Sequence, residues 1–410
     1  MTDRILDLSD KPARLSVRNG LLVISLNVAQ GPPSDPAALQ GGSAARQETP
    51  GNAAMPESGH CATELDSRPS AGSGQALRGN DGDGGGDTAA TKTYRCERLP
   101  DPNEHTVPLA DIAVLIAAHP QISFSHAVLA GIAEAGGTFI VSNEKRMPCA
   151  MLLPLETHST QTERFAAQAA ASLPLRKRVW QEIVQAQIRA RARLLVERTG
   201  KDYGLGPMAA RVRSGDPQNL EAQAARIYWR ALFGDEFHRD REEEGLNSCL
   251  NYGNGVLRAI VARALCAAGL HPALGLHHHN RYDTFCLADD LMEPFRPLVD
   301  RVVASISDRR EEERRSETAA TATPVIPAKA GIQTIALDRD TKKSILEGLL
   351  ARYTAPHHPV RGTADGESRT LFDWVSRAAS SLAAVIEGRE QRLGIPDLVL
   401  SGASFQASDS

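Results

Sequence analysis

Apolar positions change their spacing along this chain, and the change divides it in two. In Arg14–Leu26 (RLSVRNGLLVISL) two short β-rich runs flank Asn19-Gly20, the dipeptide of a two-residue hairpin turn. Thr106–Ile116 (TVPLADIAVLI) and Gly137–Ser142 (GTFIVS) are strand-like again. From Ser159 the period becomes helical. Ser159–Ser172 and Leu175–Thr199 repeat apolar residues every three or four positions. Asp216-Pro217 reads as an N-cap with proline in the first turn, opening a helix through Leu232. Leu246–Ala268 is long, apolar and poor in charge, so it predicts a central, buried helix. Cys286–Arg315 predicts another, and Thr341–Tyr353 and Leu371–Leu393 return to helical spacing.

Two stretches have no such pattern. From Ala29 to Thr93 there is no Phe, Trp, Tyr, Ile or Val, and 12 of the 33 glycines fall between Gly31 and Gly86. A segment of this kind buries too little apolar area to offset its ordering entropy, so disorder is expected. Ser316–Gln333 is small, proline-containing and aperiodic, as a linker or insertion would be. The expected class is α+β. Residues 1–150 form a β-rich domain with a low-complexity insertion at 31–93, and 151–315 form an all-α catalytic domain. Residues 316–336 are the linker or insertion, and 337–410 a helical tail.

The composition narrows the function classes. The 410 residues carry a net charge of −4, from 46 Lys+Arg against 50 Asp+Glu, which excludes a uniformly basic polyelectrolyte but not a local basic face. No apolar run is long enough for a membrane span, and the N-terminus lacks the apolar core of a secretory signal. The six cysteines (Cys61, Cys96, Cys149, Cys249, Cys266 and Cys286) are scattered, with no CxxC pair. Neither a disulfide framework nor a tetrathiolate zinc site fits, and a reducing, cytoplasmic location is expected.

Three segments of the helical half carry chemistry. Glu221 falls in the first turn of its helix, where the macrodipole favours a carboxylate; a plain helix-start acid would look the same. Gly275–Arg281 (GLHHHNR) holds three successive histidines, His277, His278 and His279, which either ligate a metal or simply meet solvent. Asp290 and Glu293 lie three apart and share a helix face, as a cation site or as surface acids. One histidine with two or three carboxylates suits Mg²⁺ or Mn²⁺ better than structural zinc. Such a site leaves positions for phosphate oxygens. Of the seven charged residues between Leu175 and Arg193, six are positive: Arg176, Lys177, Arg178, Arg189, Arg191 and Arg193. Beside a metal site, this run reads as a phosphate-binding face rather than a merely solvated one.

Several of these segments resemble the CRISPR-associated integrase family, the larger of the adaptation proteins that insert new spacers into CRISPR arrays. They are NLEAQAARIYW at Asn219–Trp229, LNYGNGVL at Leu250–Leu257 and GLHPALGLHHHNRYDTFCLADDLMEPFRP at Gly269–Pro297. RILDLSDKPARLSVRNGLLVI near the N-terminus and Asp111–Gly137 look like the family's β domain, and GLHHHN with DLMEPFRP resembles the subtype that accompanies single-protein RNA-guided effectors. The resemblance covers about Met1–Val28, Tyr94–Arg315 and Leu337–Leu400. Two departures stand out: Gln30–Thr93 is far longer than the family's hairpin loop, and Ser316–Gln333 interrupts the C-terminal helical segment.

The resemblance implies a homodimer joined through the β domain, with one metal site in each helical domain. It places the family's ligands at Glu221 in E-x-x-A-A-R, His278 in the glycine-led histidine motif and Glu293 in D-L-M-E, with Asp290 as supporting acid. Arg176, Arg178, Arg189 and Arg193 are the expected DNA contacts. The implied partners are double-stranded DNA, both protospacer and CRISPR repeat, and a small adaptation protein. The implied reaction is attack of a protospacer 3′-hydroxyl on a phosphodiester at the edge of a repeat. One phosphodiester replaces another, and the sequence has no G-x-x-x-x-G-K-[ST] phosphate loop. Two rival readings are a non-catalytic DNA-binding scaffold of the adaptation complex and an unrelated metallohydrolase of small phosphoesters.

Overall fold

The computed structural model describes residues 4–26, 103–144, 147–154, 156–240, 243–321, 335–355 and 367–400. Chain contacts set Ala29–Pro100 apart from Met1–Val28 with Asp101–Ser410. The expected insertion at 31–93 and most of the expected linker lie outside the described residues.

The first half runs β1 (Arg4–Leu8), β2 (Ala13–Arg18), β3 (Leu21–Leu26), β4 (Glu104–Pro108), β5 (Ile112–Ala117), β6 (Ser123–Phe124), α1 (His126–Glu134), β7 (Thr138–Ser142) and β8 (Pro148–Leu152). The hairpin forms as its dipeptide requires. Arg18 pairs with Leu21, and Asn19 and Gly20 take φ of 52° and 73°, the left-handed pair of a tight turn matching the strand twist. One sheet has the order β4-β3-β2-β6 and the other β1-β5-β7-β8. In the second sheet β5 pairs in parallel with both β1 and β7, while β8 closes the edge antiparallel. A central parallel strand is covered on both faces, and the unbroken apolar run Ile112–Ala117 meets that demand. Leu115 and Phe139 face a core with Leu15, Leu22, Val128 and Ile132. Val114, Ile116 and Ile140 face the helices.

The second half runs α2 (Gln161–Ala169), α3 (Leu173–Thr199), α4 (Leu205–Arg211), α5 (Leu220–Phe233), α6 (Leu246–Ala267), α7 (Cys286–Met292), a 3-10 turn at Glu293–Phe295, α8 (Arg296–Thr321), α9 (Arg339–Leu350), β9 (Arg352–Thr354), β10 (Ser368–Thr370), α10 (Leu371–Ile386) and β11 (Val399–Leu400). Strands give way to helices between Leu152 and Gln161, and Val114, Ile116 and Ile140 of the sheet join the helices' core. The helical half also carries a small antiparallel sheet, β10-β9-β11. As its composition predicts, α6 is central and buried. The Tyr252 hydroxyl on α6 donates to Asp7 on β1 at 2.8 Å. A Cβ at Gly253 would fall 2.5 Å from Val299 Cγ1, so glycine is what lets α6 lie against α8. No helix among the described residues is long and apolar enough to cross a membrane.

Several boundaries differ from the sequence expectation: the helix expected to Tyr353 ends at Leu350 with Tyr353 on β9, the one expected to Leu393 ends at Ile386, and α8 runs past Arg315 to Thr321. The helix expected to open at Asp216-Pro217 begins at Leu220. Pro217 steers Asp216 away from helical backbone. Asp216 sits instead at φ 46°, and its carboxylate caps from upstream, accepting from the Leu220 and Glu221 amides at 2.9 and 3.0 Å. The single helix expected over Cys286–Arg315 is divided at Glu293–Phe295, because Pro294 has no N–H to continue the ladder.

Candidate functional site

Three segments remote in sequence meet at Gln187, midway along α3. Its amide Nε2 donates to Glu293 Oε2 at 2.5 Å and to Glu221 Oε1 at 3.4 Å. Glu221 stands in the first turn of α5 and Glu293 opens the 3-10 turn after α7. Gln187 is fully buried, and its Oε1 has no partner. Such an atom normally costs free energy, and here the Nε2 of the same amide donates to both carboxylates.

Each carboxylate also has an arginine. Arg296 Nε is 2.9 Å from Glu293 Oε1, and its Nη1 donates to Asn254 Oδ1 at 3.2 Å. Burial alone would lower the Arg296 pKa, but Glu293, Asp289 and Asp300 outweigh it and raise it. Arg191 Nη1 is 3.9 Å from Glu221 Oε1, and its guanidinium lies over the Tyr228 ring. Behind them, the Tyr228 hydroxyl donates to Asp300 at 2.8 Å, with both groups wholly buried. Burial pushes Asp300 up to about 6 against the pull of this bond and of Arg191, Arg239 and Arg296.

The histidine loop is organised by Asp290. This fully buried carboxylate accepts from the Leu276, His277 and His278 amides at 2.6, 3.0 and 3.2 Å and holds His278 Nδ1 at 2.6 Å. The bond to Asp290 is the main cause of a raised His278 pKa, and Glu293 adds to it. With Nδ1 engaged, Nε2 is the nitrogen left to act, the arrangement by which a carboxylate orients a ligating imidazole. His277 is occupied otherwise. Its ring stacks on Trp180 of α3 with centroids 4.1 Å apart, and burial lowers its pKa. Trp180 also meets the His278 ring edge-to-face at 5.7 Å. Glycine is required at 275, because a Cβ there would stand 2.2 Å from the His278 carbonyl oxygen and 2.8 Å from Cys286 Cβ.

Glu221 and Glu293 are thus brought together, with His278 close enough for Glu293 to shift its pKa. Asp290 binds the loop rather than open space. Among the described residues no three His, Cys, Asp or Glu side chains converge closely enough to enclose an ion. The Gln187 amide stands where the two carboxylates meet. Gln187, Trp180 and Arg296 were not read from the sequence as site residues, and Arg191 was read only as part of the positive face. The available signal was register: Gln187 and Arg191 share the inward face of α3 with Ile183, Val184 and Ile188.

The arginine run does not form one free strip. Arg176 lines a hollow of about 500 Å³ with His278, His279, Asn280 and Arg281. Arg178 is exposed and has no partner among the described residues. Arg189 and Arg193 lie 3.7 and 3.4 Å from Asp397, and Arg193 also donates to the Leu398 carbonyl at 3.2 Å. Arg191, read as part of the positive face, is buried.

Comparison with known proteins agrees with this architecture. The family model for CRISPR associated protein Cas1 matches residues 95–336. A CRISPR-associated endonuclease Cas1 of Neisseria meningitidis serogroup C is 41% identical over 208 residues, covering 50% of this chain and 68% of that protein. A second, from Pyrobaculum aerophilum, is 30% identical over 223 residues, covering 50% and 75%. Among solved structures, a casposase bound to integration product superposes with a TM-score of 0.59 at 16% identity, covering 96% of this chain and 92% of that one. A Cas1 protein from Thermotoga maritima gives 0.52 at 16% identity, covering 71% and 90%. At these identities the structural likeness is one of fold. The family match and the Neisseria relative go further: this chain belongs to the CRISPR-associated Cas1 family.

Proposed function

We propose that the chain is a CRISPR adaptation integrase, a metal-dependent DNA endonuclease and strand transferase that joins a protospacer 3′-hydroxyl to a phosphodiester of the CRISPR array. The observation that carries this reading is the pairing of Glu221 and Glu293 through Gln187, beside a histidine whose Nδ1 is fixed by a buried carboxylate. Two hard carboxylates and one imidazole are the donor set for Mg²⁺ or Mn²⁺. Glu221, Glu293 and His278 Nε2 would hold the ion. When bound, it supplies charge neutralisation at the phosphoryl oxygens.

The chain's own residues do the rest. Asp290 keeps the proton on His278 Nδ1 and so presents Nε2. Gln187 aims the two carboxylates at one point, and Arg191 and Arg296 offset their mutual repulsion. Arg176, which shares a hollow with His278, is placed to meet phosphates and position the scissile bond, and Arg178, on the other side of α3, to meet phosphates away from it. Arg189 can share itself between Asp397 and DNA, and Arg193 would first have to leave Asp397. The partners are duplex DNA, a second copy of the chain and a small adaptation protein.

A half-site integration assay tests this. Purified protein, its small partner, Mn²⁺, a labelled protospacer and a repeat-bearing plasmid should give label covalently joined to plasmid, and Glu221→Gln should give none. Protein that binds both DNAs but neither cuts nor joins them would be a scaffold.

A further inference from the structure

A second basic surface lies on the side of α3 away from the paired carboxylates. At about 100° per residue, Arg178, Glu182, Gln185 and Arg189 fall on one side of the helix, and Trp180, Gln187 and Arg191 on the other. The first side opens into a hollow of about 580 Å³ that continues, past Gln391 and Arg392, into one of about 750 Å³ along α10. Arg178 and Arg392 are exposed, Arg377 is half-buried, and none of the three has a partner among the described residues.

Two of the groove's acids are committed within the fold. Glu182 accepts from the Leu393 amide at 2.6 Å and Glu390 from the Ser381 hydroxyl at 2.8 Å. They hold the groove's walls together; with Asp373, one turn before Arg377, the lining carries three carboxylates against six arginines, so the groove is net positive. Exposed hydroxyls of Ser376 and Ser380 stand beside Arg377 on α10.

We propose that this groove, between α3 and the α10–Arg392 segment, is a second binding surface for the phosphodiester backbone of duplex DNA, distinct from the path over Glu221 and Glu293. Guanidinium, hydroxyl and carboxamide groups are the side chains that contact phosphate. No aromatic residue lines either hollow, so nothing there offers a stacking platform for single-stranded bases. Arg178 and Arg189 are about 16 Å apart along the helix, the length of roughly five phosphates on one strand. Strand transfer brings two duplexes together, and only one phosphodiester can occupy the reacting position. A surface on the far side of α3 holds the remaining length of one of them. This rests on the integrase reading, which the same experiment tests separately.

The test is fluorescence anisotropy with two unrelated 30-base-pair duplexes across a salt series, for wild type, Arg377→Ala/Arg392→Ala and Arg377→Lys/Arg392→Lys. The alanine pair should weaken both duplexes by a similar factor, on the order of tenfold or more near 0.15 M salt. Its slope of log K against log salt should be shallower by roughly 2, and the lysine pair should restore both. Unchanged affinity and slope in the alanine pair overturn the groove and point to an acidic protein partner there. A wild type lacking salt-dependent DNA affinity overturns the integrase reading itself, before any variant is compared.

Discussion

Replacing Asp290 exposes how much of the site rests on one side chain. Asp290→Ala leaves three backbone amides and the His278 Nδ1–H without their acceptor. The Leu276 amide is buried and has no route to water, so its loss alone costs about 1–3 kcal/mol. The His277 and His278 amides are half-buried and partly rehydrate, at about 0.5–1.5 kcal/mol each. The sum is about 2–6 kcal/mol, a large share of the roughly 5–15 kcal/mol that holds a domain together. Asp290→Asn retains one acceptor oxygen and should lose about half as much. Urea denaturation in EDTA reads both values. The His278 pKa, raised chiefly by its bond to Asp290, adds a pH signature. A raised imidazole pKa contributes stability fully below the ordinary value near 6.5, and that contribution fades as pH climbs through the higher folded value. The gap between wild type and Asp290→Asn should therefore narrow above about pH 6.5. An alanine variant within about 0.5 kcal/mol of wild type would refute the reasoning.

Gly275→Ala should lose about 1–3 kcal/mol in the same assay and weaken Mn²⁺ binding, since its Cβ would collide with the His278 carbonyl; a neutral substitution would mean the loop gives way freely. Gln187→Leu removes the donor shared by Glu221 and Glu293 and should destabilise the metal-free protein by about 1–3 kcal/mol, with Mn²⁺ recovering part of it. No recovery by Mn²⁺ would count against a shared ion between the two carboxylates. Tyr228→Phe takes the hydroxyl donor from buried Asp300 and should lose about 1–3 kcal/mol at pH 7, less at pH 5 where Asp300, pushed up to about 6, is largely protonated. An equal loss at both pH values would mean Asp300 does not carry that charge.

Much of the fold was legible because local chemistry and burial agree. Asn19-Gly20 dictates its turn, Ile112–Ala117 demands cover on both faces, and the apolar length of α6 has only the centre to occupy. The start of α5 was misplaced because a carboxylate four residues upstream caps it as well as an adjacent one would. The ligand-type residues Glu221, His278 and Glu293 could be picked out by residue type and motif. Gln187 could not, since it looks like an ordinary polar residue until helical register turns it inward against carboxylates from other segments, and the same register turns Arg191 from the expected positive face to Glu221. The arginine run misled for the converse reason. Charge along a sequence gives no sign of which cations Asp397, two hundred residues away, will neutralise.

The central claim is that Glu221, Glu293 and His278 hold one divalent ion. A crystal grown with Mn²⁺ and measured for anomalous scattering tests it directly. One strong peak is expected, about 2 Å from a carboxylate oxygen of Glu221, a carboxylate oxygen of Glu293 and Nε2 of His278, with Asp290 still on Nδ1. Glu293→Gln should lose the peak while Arg377→Ala keeps it. A peak ligated by His277 or His279, or no peak between the two glutamates at saturating Mn²⁺, would contradict that claim.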